Sequence, residues 1–461
     1  MVFRRDMSGG LFGLKMRSVF QRAIDCTLGS GVVRRFAGGL AWSIVGSAAS
    51  RGLGLVGLML VARLIGREDF GRLAMIQSTT ALFSVVAAAG LGMTAAKHVA
   101  QFRKADRTRV GRLIGGASVF SAGSGLVIGL IVFVASPWLA VGVLADHSIG
   151  PWLRIGALII VLEAMNAAQL GALQGFEAFR SIAKANFAVG VLQVPFLVGG
   201  AVTYGVPGVL IAMGCVRVAG LGFNYWLLGR ECAERSIVIS YRGIRAESGL
   251  LLSFGLPALM SSLVVVAVNW TGNAILARSL GGYEELGVFN AANQWRLVAL
   301  WFPSSLGAIV LPILANLRGE QDDREYGRML RLSAMLNVAM ACVICLPIGL
   351  FATRIMTGFG DEFRDGETTL LLLLGSVVVA ALNNVVGQAL ASRDRMWIGA
   401  GFNVLWGVTL VFSAWWWVGM GYGARALAAA NLMAYSVHTF WQWLYFLRSY
   451  SFAVSPRGEV D

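Results

Sequence analysis

Long uncharged stretches alternate along the chain with short clusters of charge. Residues 73–96, 113–145, 185–216, 248–277, 297–317, 332–353, 368–392, 396–424 and 426–447 contain no Asp, Glu, Lys or Arg. A helix needs about 20 mostly apolar residues to cross a bilayer core, so each stretch holds at least one crossing. Runs such as LLLLLGSVVVAAL (370–382) lack the two-residue alternation of a membrane barrel strand. The pattern predicts an all-α polytopic membrane protein.

Cutting at the charge clusters and at Gly and Pro breaks gives twelve spans: 37–62, 73–96, 113–136, 152–174, 186–204, 206–228, 249–277, 288–313, 332–352, 367–391, 397–418 and 424–447. The fifth and sixth meet at YGVPG (204–208), whose Gly and Pro content reads as a tight turn. Direction follows from the basic residues, which favour cytoplasmic loops. With the N-terminus inside, 27 of the 38 Lys and Arg fall on inner segments, 7 on the outer side when Arg425 at the mouth of the last span is counted there, and four deeper within spans. Both termini are therefore expected in the cytoplasm. The arm 1–36 carries Phe12, Met16, Val19, Phe20 and Ile24 near helical spacing among basic residues, as in a helix lying on an anionic membrane surface; a frayed tail is the other reading. Beyond it come a six-helix bundle (37–228), a cytoplasmic linker (229–248), a second six-helix bundle (249–447) and a cytoplasmic tail (448–461).

Composition narrows the class. Only 13% of the residues are charged and 57% are hydrophobic, against roughly 25% charged in soluble domains, which excludes a water-soluble enzyme. The net charge of +14 calls for no nucleic acid as partner, because the basic residues flank spans on one side, where they meet anionic membrane lipids.

An internal repeat is visible. VARLIGREDFG (61–71) recurs as LARSLGGYEELG (276–287) with one inserted residue. Each copy ends a span, turns through Gly66 or Gly281, and enters the next span after an acidic pair, Glu68/Asp69 or Glu284/Glu285. A parallel repeat of this kind predicts a transporter with its cargo site between two like-oriented halves. The turn, its echo, the length and the twelve-span layout resemble the polysaccharide transporter family of the MOP exporter superfamily, over about residues 34–447. Members often carry a Pro in this turn, where the present chain has Arg67 and Gly282. The resemblance implies a MATE-like pair of six-helix bundles around a central cavity. It further implies a flippase that alternates between inward and outward openings to carry an undecaprenyl-diphosphate-linked oligosaccharide across the bacterial inner membrane, for O-antigen, capsule or exopolysaccharide. Association with polysaccharide polymerase machinery is part of the same expectation.

Within the spans, charge is the strongest pointer to chemistry. A charged side chain at mid-bilayer costs about 2.5–3.5 kcal/mol on insertion scales, so those retained there face a cavity or a partner. Arg51, Glu163 and Arg217 fall near the middle of their spans, and Arg296 lies inside the eighth. Guanidinium groups bind phosphate oxygens bidentately, which makes Arg51, Arg296 and Arg217 the candidates for holding a diphosphate. Two readings of Glu163 stay open, an ion pair with Arg217 or a site of ion coupling. Amides supply the neutral donors and acceptors that sugar hydroxyls need. They concentrate in the second half as Asn269, Asn273, Asn290, Asn293, Gln294, Asn384 and Gln388, with interhelical hydrogen bonding as the alternative for each.

Other functional classes fit less well. A multidrug exporter of the same superfamily calls for intramembrane carboxylates, and only Glu163 qualifies; a lipid II flippase is a nearer alternative. A membrane glycan polymerase or ligase needs a positioned His or carboxylate, and His98, His147 and His438 are scattered along the chain. No G-x-x-x-x-G-K-S/T loop for ATP occurs, and no cofactor or metal site is expected. The expectation is a secondary or potential-driven transporter, since moving negative charge outward is favoured by about 2.3 kcal/mol per charge per 100 mV.

Overall fold

The computed structural model describes residues 31–242, 245–319, 323–392 and 396–454; residues 1–30 of the basic arm and 455–461 of the tail lie outside the described residues. The first bundle comprises α1 (Gly31–Ala88), α2 (Leu91–Phe102), α3 (Arg107–Trp138), α4 (Ile149–Gly175) and α5 (Phe179–Glu234). Two of these helices are folded double. α1 turns back at Gly66 (φ 81°, ψ 171°) and α5 at Gly205 (φ 60°, ψ −135°), conformations that a residue without Cβ adopts at little cost. The second bundle comprises α6 (Arg245–Ala277), α7 (Gly282–Gly319), α8 (Asp323–Leu350), the short α9 (Ala352–Thr357), α10 (Glu367–Ser392), α11 (Met396–Gly419) and α12 (Gly423–Val454). The twelve expected spans map onto these helices in order, six to a bundle.

Hydropathy and helix ends differ where a helix outruns the membrane. The second span stops at Ala88, bends through Ala89 (φ 46°) and Gly90 (φ 69°), and resumes as α2 to Phe102, past the expected end at 96. α5 likewise continues to Glu234, its last turn laced by Arg230 to Glu234 at 2.9 Å. Charge marks the lipid boundary, whereas i,i+4 pairs let the helix continue into water. The linker expected at 229–248 is thus helical up to Glu234 and again from Arg245, with Ser240 N–H donating to the Gly111 carbonyl at 3.2 Å between.

Apolar packing shows how the bundles lean on each other. The largest core draws Val61, Phe70 and Ile76 from the first bundle and Leu286, Phe359 and Phe363 from the second, all toward the end that the charge bias assigns to the outside. Phe70 meets Phe359 at 6.1 Å and Phe363 at 6.0 Å between ring centroids, pairs worth about 0.5–1.5 kcal/mol each beyond area burial. At the opposite end each bundle keeps a core of its own. Val110, Leu173, Phe176 and Leu227 form one, and Leu314, Tyr326, Leu390 and Phe446 the other. The described residues of the two bundles share their largest core toward the end that the charge bias assigns to the outside, and toward the other end each has a core of its own while α2 still touches α6.

Candidate translocation vestibule

The outer seal grows from the two copies of the repeat. A Cβ on Gly71 would overlap the Tyr283 carbonyl oxygen and come within 2.9 Å of Gly287 N, and one on Gly287 would overlap the Arg67 carbonyl oxygen and come within 3.3 Å of Gly71 N. Residue 67 stands four before 71 and residue 283 four before 287, so the terminal glycines of the two motifs meet across a pseudo-two-fold axis. Arg67 then reaches over the seam. Its Nη2 pairs with Glu285 at 2.8 Å and its Nη1 with Asp365 at 3.1 Å, while its Nε donates to the Glu284 carbonyl at 3.1 Å and its backbone N–H to Glu362 Oε1 at 3.0 Å. Glu285 is occupied twice, because its Oε2 accepts the Ala424 N–H at 2.7 Å where α12 begins. Arg278 donates to the carbonyls of Gly142 and Val143, and the Tyr283 hydroxyl to that of Leu144 at 2.8 Å. Nearby, partial burial works against ionisation of Asp146, yet hydrogen bonds from Ser148 and Arg72 hold its carboxyl below the usual range.

Below the seal the bundles touch at mid-depth. Trp270 Nε1 donates to Thr79 Oγ1 at 3.0 Å, and Asn273 Nδ2 to Ser78 Oγ at 3.1 Å. Asn273, expected at the glycan, therefore spans the interface in this state. Fifteen residues below Gly66, about 22 Å at helical rise, Arg51 is exposed with its guanidinium 5.6 Å from the Trp301 ring of the second bundle. An arginine over an aromatic face is held there by the attraction of the cation to the ring quadrupole.

The other intramembrane charges are placed differently from Arg51. Arg217 Nε bonds Glu163 Oε1 at 2.8 Å, with side chains 42% and 28% exposed. The ion-pair reading of Glu163 describes this geometry, and it leaves Arg217, expected at the diphosphate, with a carboxylate already on its guanidinium. One turn further along α4 and two along α5, Asn224 Nδ2 donates to Asn166 Oδ1 at 2.8 Å, again joining α5 to α4. Arg296 is only 6% exposed. Its Nε donates to Ser376 Oγ at 3.1 Å and its Nη1 to Asn293 Oδ1 at 3.2 Å, and the Tyr435 ring lies 5.4 Å away. Of the three arginines expected at the diphosphate, Arg51 is exposed, Arg217 is paired with Glu163 and Arg296 is buried.

The amides of the second bundle mostly bond within it. Asn384 Nδ2 donates to the Pro303 carbonyl at 2.9 Å and to Asn337 Oδ1 at 3.3 Å, and Gln388 Nε2 to Asn384 Oδ1 at 3.3 Å. Gln294 Nε2 donates to Asn290 Oδ1 at 3.2 Å, and Asn269 Nδ2 to the Val265 carbonyl at 2.7 Å. Interhelical and intrahelical bonding accounts for this set. Sequence reasoning passed over Trp301, Asn166 and Asn224; the first two stand near a flagged charge in space or in sequence, but no pattern along the chain tells which face of a fully apolar helix they share.

The sequence profile of a family described as polysaccharide biosynthesis protein matches residues 60–363. The chain is 22% identical over 404 residues to the EPS I polysaccharide export inner membrane protein EpsE of Ralstonia nicotianae, covering 86% of this chain and 91% of that one. Among solved structures it is similar to a multidrug resistance MATE family transporter of the MOP superfamily in its inward-facing conformation, with a TM-score of 0.71 at 17% identity over 87% of this chain and 96% of that one. It is also similar to the lipid II flippase MurJ in an inward closed conformation, with a TM-score of 0.70 at 12% identity over 88% and 87%. Both likenesses show a shared two-bundle fold.

Proposed function

The chain belongs to the polysaccharide biosynthesis protein family, and from that premise we propose that it flips a lipid-linked oligosaccharide, carried on undecaprenyl diphosphate, across the bacterial inner membrane by alternating access. The observation that carries the reading is Arg51, an exposed guanidinium at membrane depth beneath an outer side closed by Arg67, Gly71 and Gly287. In this reading the loops rich in Lys and Arg, and both termini, face the cytoplasm, and the lipid enters from that side. Arg51 binds the diphosphate. Arg296 adds positive potential from inside the second bundle, since Ser376, Asn293 and Tyr435 are all neutral. Release at the outer face hands the oligosaccharide to the polymerase machinery, and the membrane potential favours the outward passage of the anion.

The test is genetic and chemical together. Cells lacking the protein are expected to accumulate a lipid-linked oligosaccharide and to lose surface polysaccharide. Arg51→Ala should reproduce that loss by at least roughly tenfold at normal abundance in the membrane, while Arg51→Lys, a point charge without the planar fork, retains part of the activity. Full surface polysaccharide in Arg51→Ala would sink the diphosphate assignment.

A further inference from the structure

The Glu163–Arg217 pair is too open to be a buried structural bridge and too deep to lie in bulk water. Arg217 stands about 18 Å along its helix from the Gly205 turn and Glu163 about 21 Å from the start of α4, which puts both near mid-bilayer. At that depth hydrocarbon contact is costly to each charge, which argues for water beside these side chains, 42% and 28% exposed, between α4 and the second arm of α5. The Asn166–Asn224 pair continues the same seam toward the inner side, and Gln77 of α1 reaches it through Met213, its Nε2 lying 3.4 Å from the Met213 sulfur. Residues 213, 217, 220 and 224 share one helical face.

The chemistry of this wall selects its ligand. A diphosphate gains little from an arginine that a carboxylate already neutralises and is repelled by that carboxylate. An organic cation meets the reverse problem at the same pair. Vicinal hydroxyls both donate and accept, and so engage a carboxylate, a guanidinium and two amides at once. We propose that the α4–α5 wall, Glu163, Asn166, Arg217 and Asn224, is a subsite for the neutral, hydroxyl-rich sugars of the cargo, beside the diphosphate site at Arg51. It rests on the flippase reading above. It also shifts glycan recognition from the second bundle, most of whose amides bond within it, to the first, where a carboxylate and a guanidinium stand beside the bonded amides.

A reporter that leaves all four groups intact is Gly220→Cys, where a Cβ meets only Val189 at an ordinary 3.5 Å, in a background with the native cysteines replaced. The protein is placed in proteoliposomes and modified with a membrane-impermeant methanethiosulfonate reagent. Two probes are compared: the lipid-linked oligosaccharide isolated from cells lacking the protein, and undecaprenyl diphosphate without sugar. At a concentration about ten times its Kd the oligosaccharide lipid is expected to slow modification about tenfold, because the cysteine reacts only in the unoccupied fraction, and the sugar-free lipid to leave it unchanged. Combining Asn166→Leu with Asn224→Leu should abolish the difference. An unreactive cysteine, equal protection by both lipids, or no protection would each overturn the subsite. Failure of the deletion strain to accumulate a lipid-linked oligosaccharide would instead overturn the flippase reading, and the subsite with it.

Discussion

Arg67 occupies the turn position where the family resemblance leads one to expect proline, and the structure shows what an arginine supplies there. A proline has no N–H, so it could not make the 3.0 Å bond to Glu362, nor reach Glu285 and Asp365 across the seam. Removing the side chain leaves two carboxylates unmatched, and hydrogen bonds to charged groups contribute about 1.5–3 kcal/mol each. Arg67→Ala should shift the balance toward an outward opening by about 2 kcal/mol, roughly thirtyfold. Cysteines placed on the outer ends of the two bundles and read by spin-label distances would check this; an unchanged distance distribution would show that the glycine contact holds the seam alone. Residue identity was the most legible scale for charge and the least for contact. Arg51 and Glu163 stood out as charges in apolar runs, whereas the burial of Arg296 came from Ser376 and Tyr435, which lie 80 and 139 positions further along.

Among the elements, the hairpin turns were legible because glycine and proline punctuate uncharged runs, and Gly66 and Gly205 sit at the folds of α1 and α5. The break at Ala89 and Gly90 was not, since a glycine inside an uncharged run, without a charge or a proline beside it, reads as helix interior. The repeat carried more information than its twelve residues suggest: its closing glycines are where the two bundles come backbone to backbone. Adding a methyl group to a tightly packed site costs about 1–3 kcal/mol. Gly71→Ala and Gly287→Ala should each loosen the outer seam and expose it to thiol reagents at engineered outer cysteines. The double variant should fall short of the sum, because both methyls enter one contact. Additive effects would mean that the two glycines act independently.

For the whole molecule, the distribution of charge and packing gives the cycle a direction. Basic residues crowd one side, the bundles share a core on the other, and the proposed cargo is an anion. With a cargo of about two negative charges crossing the full field, 100 mV favours outward passage by about 4.6 kcal/mol. Collapsing the potential with valinomycin and potassium in proteoliposomes should therefore slow flipping of the isolated oligosaccharide lipid by at least roughly tenfold. A rate indifferent to potential would point to a charge-compensating counter-ion. Glu285 bears on how such a cycle is transmitted. One of its oxygens grips Arg67 and the other crowns the first turn of α12, so the carboxylate works like a gear tooth engaged on both sides. Whatever tilts the final helix is felt at the outer door, and whatever unlatches the door loosens that helix at its tip.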